Sequence, residues 1–250
     1  GAGGLSVAAG ASQMGAKVAL VESGKMGGDC LNYGCVPSKA LLAMGKVANT
    51  VRNADEFGIF IDDFRIEPSE IYNRIKKIVS LIELNDSEER FTGLGVELIR
   101  AKGQFLSPKV LQAGELTVRA KYFVIAAGSE PAVPFIAGLN NTSFLTNKTI
   151  FDLGEIPKKL IILGGGFSGV EFAQAYSKLG SEVTILECNK ILSQEDPELV
   201  DILREKMIFN GINIFENITT DSIENDNEGI RVNINLDDRA MILLGSHLLI

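Results

Sequence analysis

Three glycines constrain most strongly how this chain can fold. Gly164, Gly166 and Gly169 form a G-x-G-x-x-G sequence between an apolar run, Lys159 to Leu163, and a stretch from Val170 to Leu179 patterned as a helix. A strand that turns through bare glycines into a helix lets backbone approach a pyrophosphate at the helix N-terminus, where unpaired N–H groups and the helix dipole favour anions. The motif alone is weak, and the glycines could serve only a tight turn; its position between strand and helix gives it weight. Val183 to Leu186 reads as the next parallel strand and ends at Glu187, about 18 residues beyond Gly169. An acidic side chain there accepts hydrogen bonds from an adenosine ribose and repels a 2′-phosphate. The following Cys188, Asn189 and Lys190 include no arginine, so NAD(H) is expected over NADP(H), held by Gly164, Gly166, Phe167, Ser168, Gly169 and Glu187.

The opening of the chain repeats half of this pattern. Gly1-Ala2-Gly3-Gly4 leads into small and apolar residues through Met14, then a short run Val18 to Val21, then Glu22. Gly1 and Gly4 take the second and third glycine positions and Glu22 the place of the ribose acid. On that alignment the first glycine and first strand lie upstream of residue 1. The opening glycines and the closing Leu248-Leu249-Ile250 both read as interior sequence, so a piece of a longer protein is expected. Two such sites imply two dinucleotide cofactors.

Cys30 and Cys35 stand four residues apart in Gly27-Gly28-Asp29-Cys30-Leu31-Asn32-Tyr33-Gly34-Cys35-Val36-Pro37-Ser38-Lys39. Pro37 suits the first turn of a helix continuing through Ala40 to Leu42, which puts Cys35 at a helix N-terminus, where a thiolate is stabilised. The spacing allows the sulfurs to close a small ring if the Cα atoms come within about 7 Å, and so to cycle between disulfide and dithiol. A structural zinc site would need four ligands, and only Cys188 and His247 remain besides the pair, so no metal is expected. An inert buried pair is the other alternative, against which the polar, glycine-rich flanks argue.

Composition excludes several classes. A net charge of −8 with scattered Lys and Arg gives no footprint for nucleic acid or anionic lipid. No apolar stretch approaches the roughly 18 residues needed to span a bilayer, and no basic-then-apolar leader opens the chain. Three cysteines in 250 residues do not make a secreted disulfide framework. A cytoplasmic protein is expected.

Elsewhere, Ile71, Ile75, Ile78 and Ile82 recur at helical spacing in a helix predicted from Glu67 to about Leu94. Short β-like runs follow at Val96 to Ile99, Leu116 to Val118 and Tyr122 to Ile125, the last running into Ala126-Ala127-Gly128-Ser129. Pro131 and Pro134 stiffen a connector. Leu199 to Phe209 reads as a helix, Gly211 to Ile214 as a strand, and Ile230 to Leu236 alternates as an antiparallel strand does. The fold class expected is α/β: two tandem Rossmann-like, doubly wound dinucleotide-binding domains, three-layered, with antiparallel β excursions. Residues 1–150 and 151–250 are the two domains.

Together these features resemble the pyridine nucleotide-disulfide oxidoreductase family, the group containing dihydrolipoyl dehydrogenase, glutathione reductase and mercuric reductase. The match rests on Gly1 to Gly4, Glu22, the segment from Gly27 to Lys39, Ala126 to Ser129, and Gly164 to Glu171, in that order. The resemblance implies FAD in the first domain, with contacts from Gly1, Gly4, Glu22, Gly27, Gly28, Lys39, Gly103, Ala127, Gly128 and Ser129, and NAD(H) in the second. It implies that Cys35 faces the flavin, that Cys30 meets substrate, and that Lys39 and Glu171 form a catalytic pair beside the flavin. The family's alanine-threonine-glycine turn reads Ala126-Ala127-Gly128 here, without the threonine hydroxyl. The family's catalytic His-Glu pair belongs to a C-terminal dimerisation domain, which this chain is expected to lack; His247 does not match that base and reads as structural, and Cys188 as incidental. The implied activity is electron transfer between NAD(H) and a dithiol or disulfide substrate of lipoamide type, in a homodimer. The alternatives are reduction of Hg(II), or NADH oxidation or diaphorase activity without dithiol turnover.

Overall fold

The computed structural model describes residues 1–227 and 229–250. In chain order the elements are α1 (Ala2–Gln13), β1 (Ala19–Val21), α2 (Gly28–Asn32), α3 (Cys35–Arg52), α4 (Pro68–Glu83), α5 (Glu88–Gly93), β2 (Glu97–Ile99), β3 (Gly103–Ser107), β4 (Val110–Ala113) and β5 (Leu116–Arg119). There follow β6 (Lys159–Leu163), α6 (Phe167–Lys178), β7 (Glu182–Leu186), α7 (Pro197–Phe209), β8 (Asn213–Phe215), β9 (Thr219–Asp226), β10 (Gly229–Leu236), β11 (Arg239–Gly245) and β12 (His247–Leu249). By their contacts the residues form two compact units, Gly1–Pro37 with Lys76–Glu130 and Ser38–Ile75 with Pro131–Ile250.

In the second unit a parallel sheet runs in the order β12-β6-β7-β8. β6 is nearly all apolar because it lies inside the sheet with both faces covered: Leu160, Ile161 and Ile162 are buried. Along one face lies α6, which buries Val170, Phe172, Ala173, Ala175 and Tyr176. On the other, Ile161, Leu186 and Leu248 join Ile223, Ile230, Val232 and Ile234 of the antiparallel sheet β11-β10-β9. β10 shows why: its buried Ile230, Val232 and Ile234 alternate with Arg231, Asn233 and Asn235, the two-residue period of a one-sided strand. Asp237 and Asp238, both left-handed at φ 50° and 61°, make the tight turn into β11. Helices, parallel sheet and meander give three layers. The phenol of Tyr72 on α4 donates to the Glu155 carbonyl (2.9 Å), which leaves the Tyr176 hydroxyl as donor in their 3.0 Å bond.

In the first unit β1 and β2 pair in parallel, and Leu5, Ala8, Met26, Phe91 and Val96 form the core. The three-stranded meander β3-β4-β5 belongs to the same unit.

Two expectations fail here. The helix predicted from Glu67 to Leu94 breaks after α4 into a 3-10 turn, Leu84–Asp86, before α5 begins. Asn85, Asp86 and Ser87 carry side chains that compete for backbone hydrogen bonds, and Ser87, extended at φ −70° and ψ 156°, caps α5 by accepting from the Arg90 amide at 3.3 Å. Tyr122 to Ile125 is not a strand, and Tyr122, Val124 and Ile125 are exposed. β propensity makes a strand only beside a hydrogen-bonding neighbour, and none of the described sheets includes this segment. No described helix is long and apolar enough to cross a membrane.

Candidate nucleotide and dithiol sites

The turn after β6 has the geometry a pyrophosphate loop requires. The Gly164 amide donates to the Leu186 carbonyl at 2.9 Å, and a Cβ on Gly169 would lie 2.1 Å from the Gly164 oxygen, so only glycine lets α6 start this close to β6. Gly166, the N-cap of α6, differs: its φ of −73° suits any residue and a Cβ there would meet nothing within 4 Å. Neither strain nor crowding within the protein calls for glycine at that position. A bare Cα facing open space at a helix N-terminus fits the close approach of a phosphate, and Phe167 and Ser168, both exposed, flank it.

Glu187 closes the loop. Its Oε2 accepts from the Gly165 amide at 2.6 Å and its Oε1 from the Asn189 amide at 2.9 Å. Partial burial pushes the carboxyl up, but these amides and the Cys188 thiol outweigh burial and hold it below the usual carboxylate range. The Cys188 thiol donates to Glu187 Oε1 at 3.3 Å, and that bond, with some burial and the negative charge beside it, raises the thiol's own pKa. An ionised carboxylate at the end of the second strand fits a ribose diol.

In the first unit Glu22 repeats the arrangement. Its Oε2 accepts from the Gly1 nitrogen at 2.9 Å and its Oε1 from the Gly24 amide at 2.8 Å. Gly28, left-handed at φ 63°, approaches so closely that a Cβ on it would lie 2.3 Å from the Gly1 Cα. Gly27, also left-handed, precedes it as the N-cap of α2. Ala126 reaches the same place, 3.5 Å from where a Cβ of Gly4 would stand. It leads into Ala127, Gly128 and Ser129, which have no regular structure. Gly103 lies on the meander, opening β3 against Leu111.

Cys30 is half-buried on α2, and Cys35 is exposed as the first residue of α3, with Pro37 in that helix's first turn. Only Tyr33 and Gly34 lie between the helices that carry them. A Cβ on Gly34 would stand 3.2 Å from the Asp29 carbonyl oxygen and 3.3 Å from the Cys30 Cα, so glycine lets the chain fold back between the cysteines without crowding that backbone.

Lys39 and Glu171, 132 residues apart, meet in the second unit with Nζ 2.5 Å from Oε1. Sequence reasoning from the residues missed their third partner: the buried Ser38 hydroxyl donates to Glu171 Oε2 at 2.8 Å. A serine beside a lysine carries no sequence signal for such a bond. His247 begins β12, its Nε2 3.1 Å from Glu155 Oε1 and its Nδ1 3.1 Å from Ser246 Oγ.

Against known proteins, residues 1–246 match the family described as pyridine nucleotide-disulphide oxidoreductase. Dihydrolipoyl dehydrogenase of Chlamydia muridarum is 34% identical over 247 residues, covering 94% of this chain and 52% of its own. Mercuric reductase of Lysinibacillus sphaericus is 30% identical, covering 100% of this chain and 46% of its own. Among solved structures, the Cu(II) complex of the HOCl-induced flavoprotein disulfide reductase RclA from Escherichia coli superposes with a TM-score of 0.81 at 24% identity, covering 100% of this chain and 54% of that one. The chain spans about half the length of the relatives it matches.

Proposed function

Because the chain belongs to the pyridine nucleotide-disulphide oxidoreductase family, we propose that it forms the FAD- and NAD(H)-binding part of an enzyme moving electrons between NAD(H) and a dithiol or disulfide substrate through Cys30 and Cys35. Residues 1–150 take FAD and residues 151–250 take NAD(H). The observation that carries the reading is the placement of Cys30 on α2 and Cys35 at the start of α3, helices with only Tyr33 and Gly34 between them, in the same compact unit as the Gly1–Gly4 turn.

Bound flavin would supply the two-electron relay between nicotinamide and the cysteine pair. The protein's own groups do the rest. The Gly164–Gly169 turn and the Gly1–Gly4 turn offer amides and helix N-termini to phosphates, and Glu187 and Glu22 accept ribose hydroxyls. Gly27, Gly28, Ala127, Gly128 and Ser129 line the first site, while the placement of Gly103 on the meander lends its assignment no support. Lys39 would offer positive charge to the negative charge that builds up on a reduced flavin, and Glu171, steadied by Ser38, would balance that lysine.

Reduced Cys30 attacks a substrate disulfide as the thiolate, forming a mixed disulfide and releasing one substrate thiolate; Cys35 then attacks Cys30, releases the second thiolate and restores the Cys30–Cys35 disulfide. Run backwards, the same two exchanges oxidise a dithiol such as dihydrolipoamide. The 34% identity to a dihydrolipoyl dehydrogenase favours that substrate. A second reading, Hg(II) as acceptor, is favoured by the mercuric reductases that cover the whole chain. A cytoplasmic homodimer belongs to the proposal and is supported by the family resemblance alone. The test is an anaerobic NADH titration of the full-length, flavin-loaded protein. We expect a long-wavelength thiolate-to-flavin charge-transfer band that Cys35→Ser abolishes. If reduction by NADH yields no such band in the wild type, the dithiol is uncoupled from flavin and NADH oxidation without dithiol turnover replaces this reading.

A further inference from the structure

We propose that Glu216 is a positioning residue for nucleotide recognition, holding the loop that carries Glu187 closed against the glycine turn. The inference rests on the NAD(H) reading above and assigns a function to a residue outside the fingerprint.

Glu216 directly follows β8, the sheet neighbour of β7, and its backbone surroundings are tied to the ribose acid. The Glu187 amide donates to the Phe215 carbonyl (2.9 Å), the Ile218 amide to the Glu187 carbonyl (3.3 Å) and the Asn217 amide to the Asn189 carbonyl (2.9 Å). The Glu216 side chain reaches further. Its Oε1 accepts from the Ile191 amide at 2.8 Å, and its Oε2 lies 3.7 Å from Arg204 Nε on α7. That Arg204 atom is itself buried without a hydrogen bond, so on this side the carboxylate is held by charge alone.

Ile191 is fully buried and wedged onto the glycine turn: a Cβ on Gly165 would lie 2.5 Å from Ile191 Cγ2. The next residue, Leu192, is left-handed at φ 47°, and in that conformation its amide donates to the Gly165 carbonyl at 2.9 Å. Asn217, beside Glu216, is also left-handed, at φ 57°. Non-glycine residues stay in that region only where their surroundings over-determine it. Gly165 is thus gripped twice, by the Leu192 amide on its carbonyl and by Glu187 Oε2 on its amide. A cavity of about 410 Å3 borders this loop, lined by Asn189, Ile191, Arg204 and Glu216 among others. Without the Glu216 carboxylate the Ile191 amide loses its acceptor, the Leu192 turn relaxes into the cavity, and Glu187 loses the fixed Gly165 amide that aims it at the ribose.

The experiment is calorimetric titration of the full-length, flavin-loaded protein with NAD+ and with NADP+. Glu216→Ala should weaken NAD+ binding roughly tenfold, the scale of one charge-assisted hydrogen bond, and leave NADP+ binding nearly unchanged. Glu216→Gln keeps an acceptor for Ile191 and should stay within about twofold of wild type, while on a Glu187→Ala background Glu216→Ala should add no more than about twofold, because both act through one carboxylate. In turnover the KM for NADH should rise at constant kcat. Should Glu216→Ala not fold, Glu216→Asp, one methylene too short to reach Ile191, carries the same test. Unchanged NAD+ affinity, or a full additive loss in the double variant, overturns the inference while leaving the NAD(H) reading intact. A wild type that fails to bind NAD+, or a Glu187→Ala variant that binds it as well as wild type, overturns both.

Discussion

At Glu187 burial and backbone amides pull in opposite directions, and the amides win. A carboxyl whose pKa is lower in the folded chain than in the unfolded one contributes stability that is fully present above the unfolded value and is lost as pH falls through the folded value. Glu187→Gln should therefore be less stable than wild type in urea unfolding at pH 7. The gap should narrow as pH falls below the ordinary carboxylate value of about 4.3. A gap that stays constant down to pH 3 would mean that hydrogen-bond geometry, not charge, stabilises the turn. Glu187 itself was legible in the sequence because a glycine fingerprint fixes where the second strand must end. The Lys39–Glu171 contact was reachable only through the family resemblance, since nothing local links residues 132 positions apart. Ser38 was not legible at all: burial and a distant carboxylate define its bond, and neither leaves a trace beside it in the chain.

Elements were legible where periodicity and burial coincide. β6 and β7 are mostly apolar after their exposed first residues, Lys159 and Glu182, because both faces are covered, and β10 alternates because one face is. β9 escaped because it buries only Ile223 among polar residues; its place comes from pairing with β10, a long-range fact. Tyr122 to Ile125 shows the converse, strong β propensity without a neighbour to pair with. The break between α4 and α5 hinges on one side chain, Ser87. With α5 only six residues long, its orphan N–H groups are a large share of its backbone, so Ser87→Ala should cost about 1 kcal/mol and Ser87→Gly less. Equilibrium denaturation measures this directly. Equal stability of the Ala variant and wild type would show that packing of Phe91, 1% exposed, holds α5 without its cap.

For the molecule as a whole, the family was legible and the substrate was not, for a physical reason. On the function proposed above, the glycine turns, Glu22 and Glu187 answer the geometry of a pyrophosphate and a ribose, which recurs across such a family, whereas a dithiol is distinguished by whatever surrounds the interchange sulfur. Two functions are therefore separable. On that proposal, passing electrons from NADH through flavin to a small artificial acceptor would call on the two glycine turns and their acids, and exchange with a disulfide would call in addition on Cys30. In the full-length protein, Cys30→Ser should keep NADH-dependent dye reduction within about twofold of wild type, while turnover of lipoamide or another disulfide falls by roughly a thousandfold or more, as expected when a nucleophile is removed. Dithiol turnover surviving in that variant would put the exchange chemistry on a different sulfur. Loss of both activities together would mean that Cys30 also supports the flavin site, for instance through the tight Gly34 fold that holds it beside Cys35.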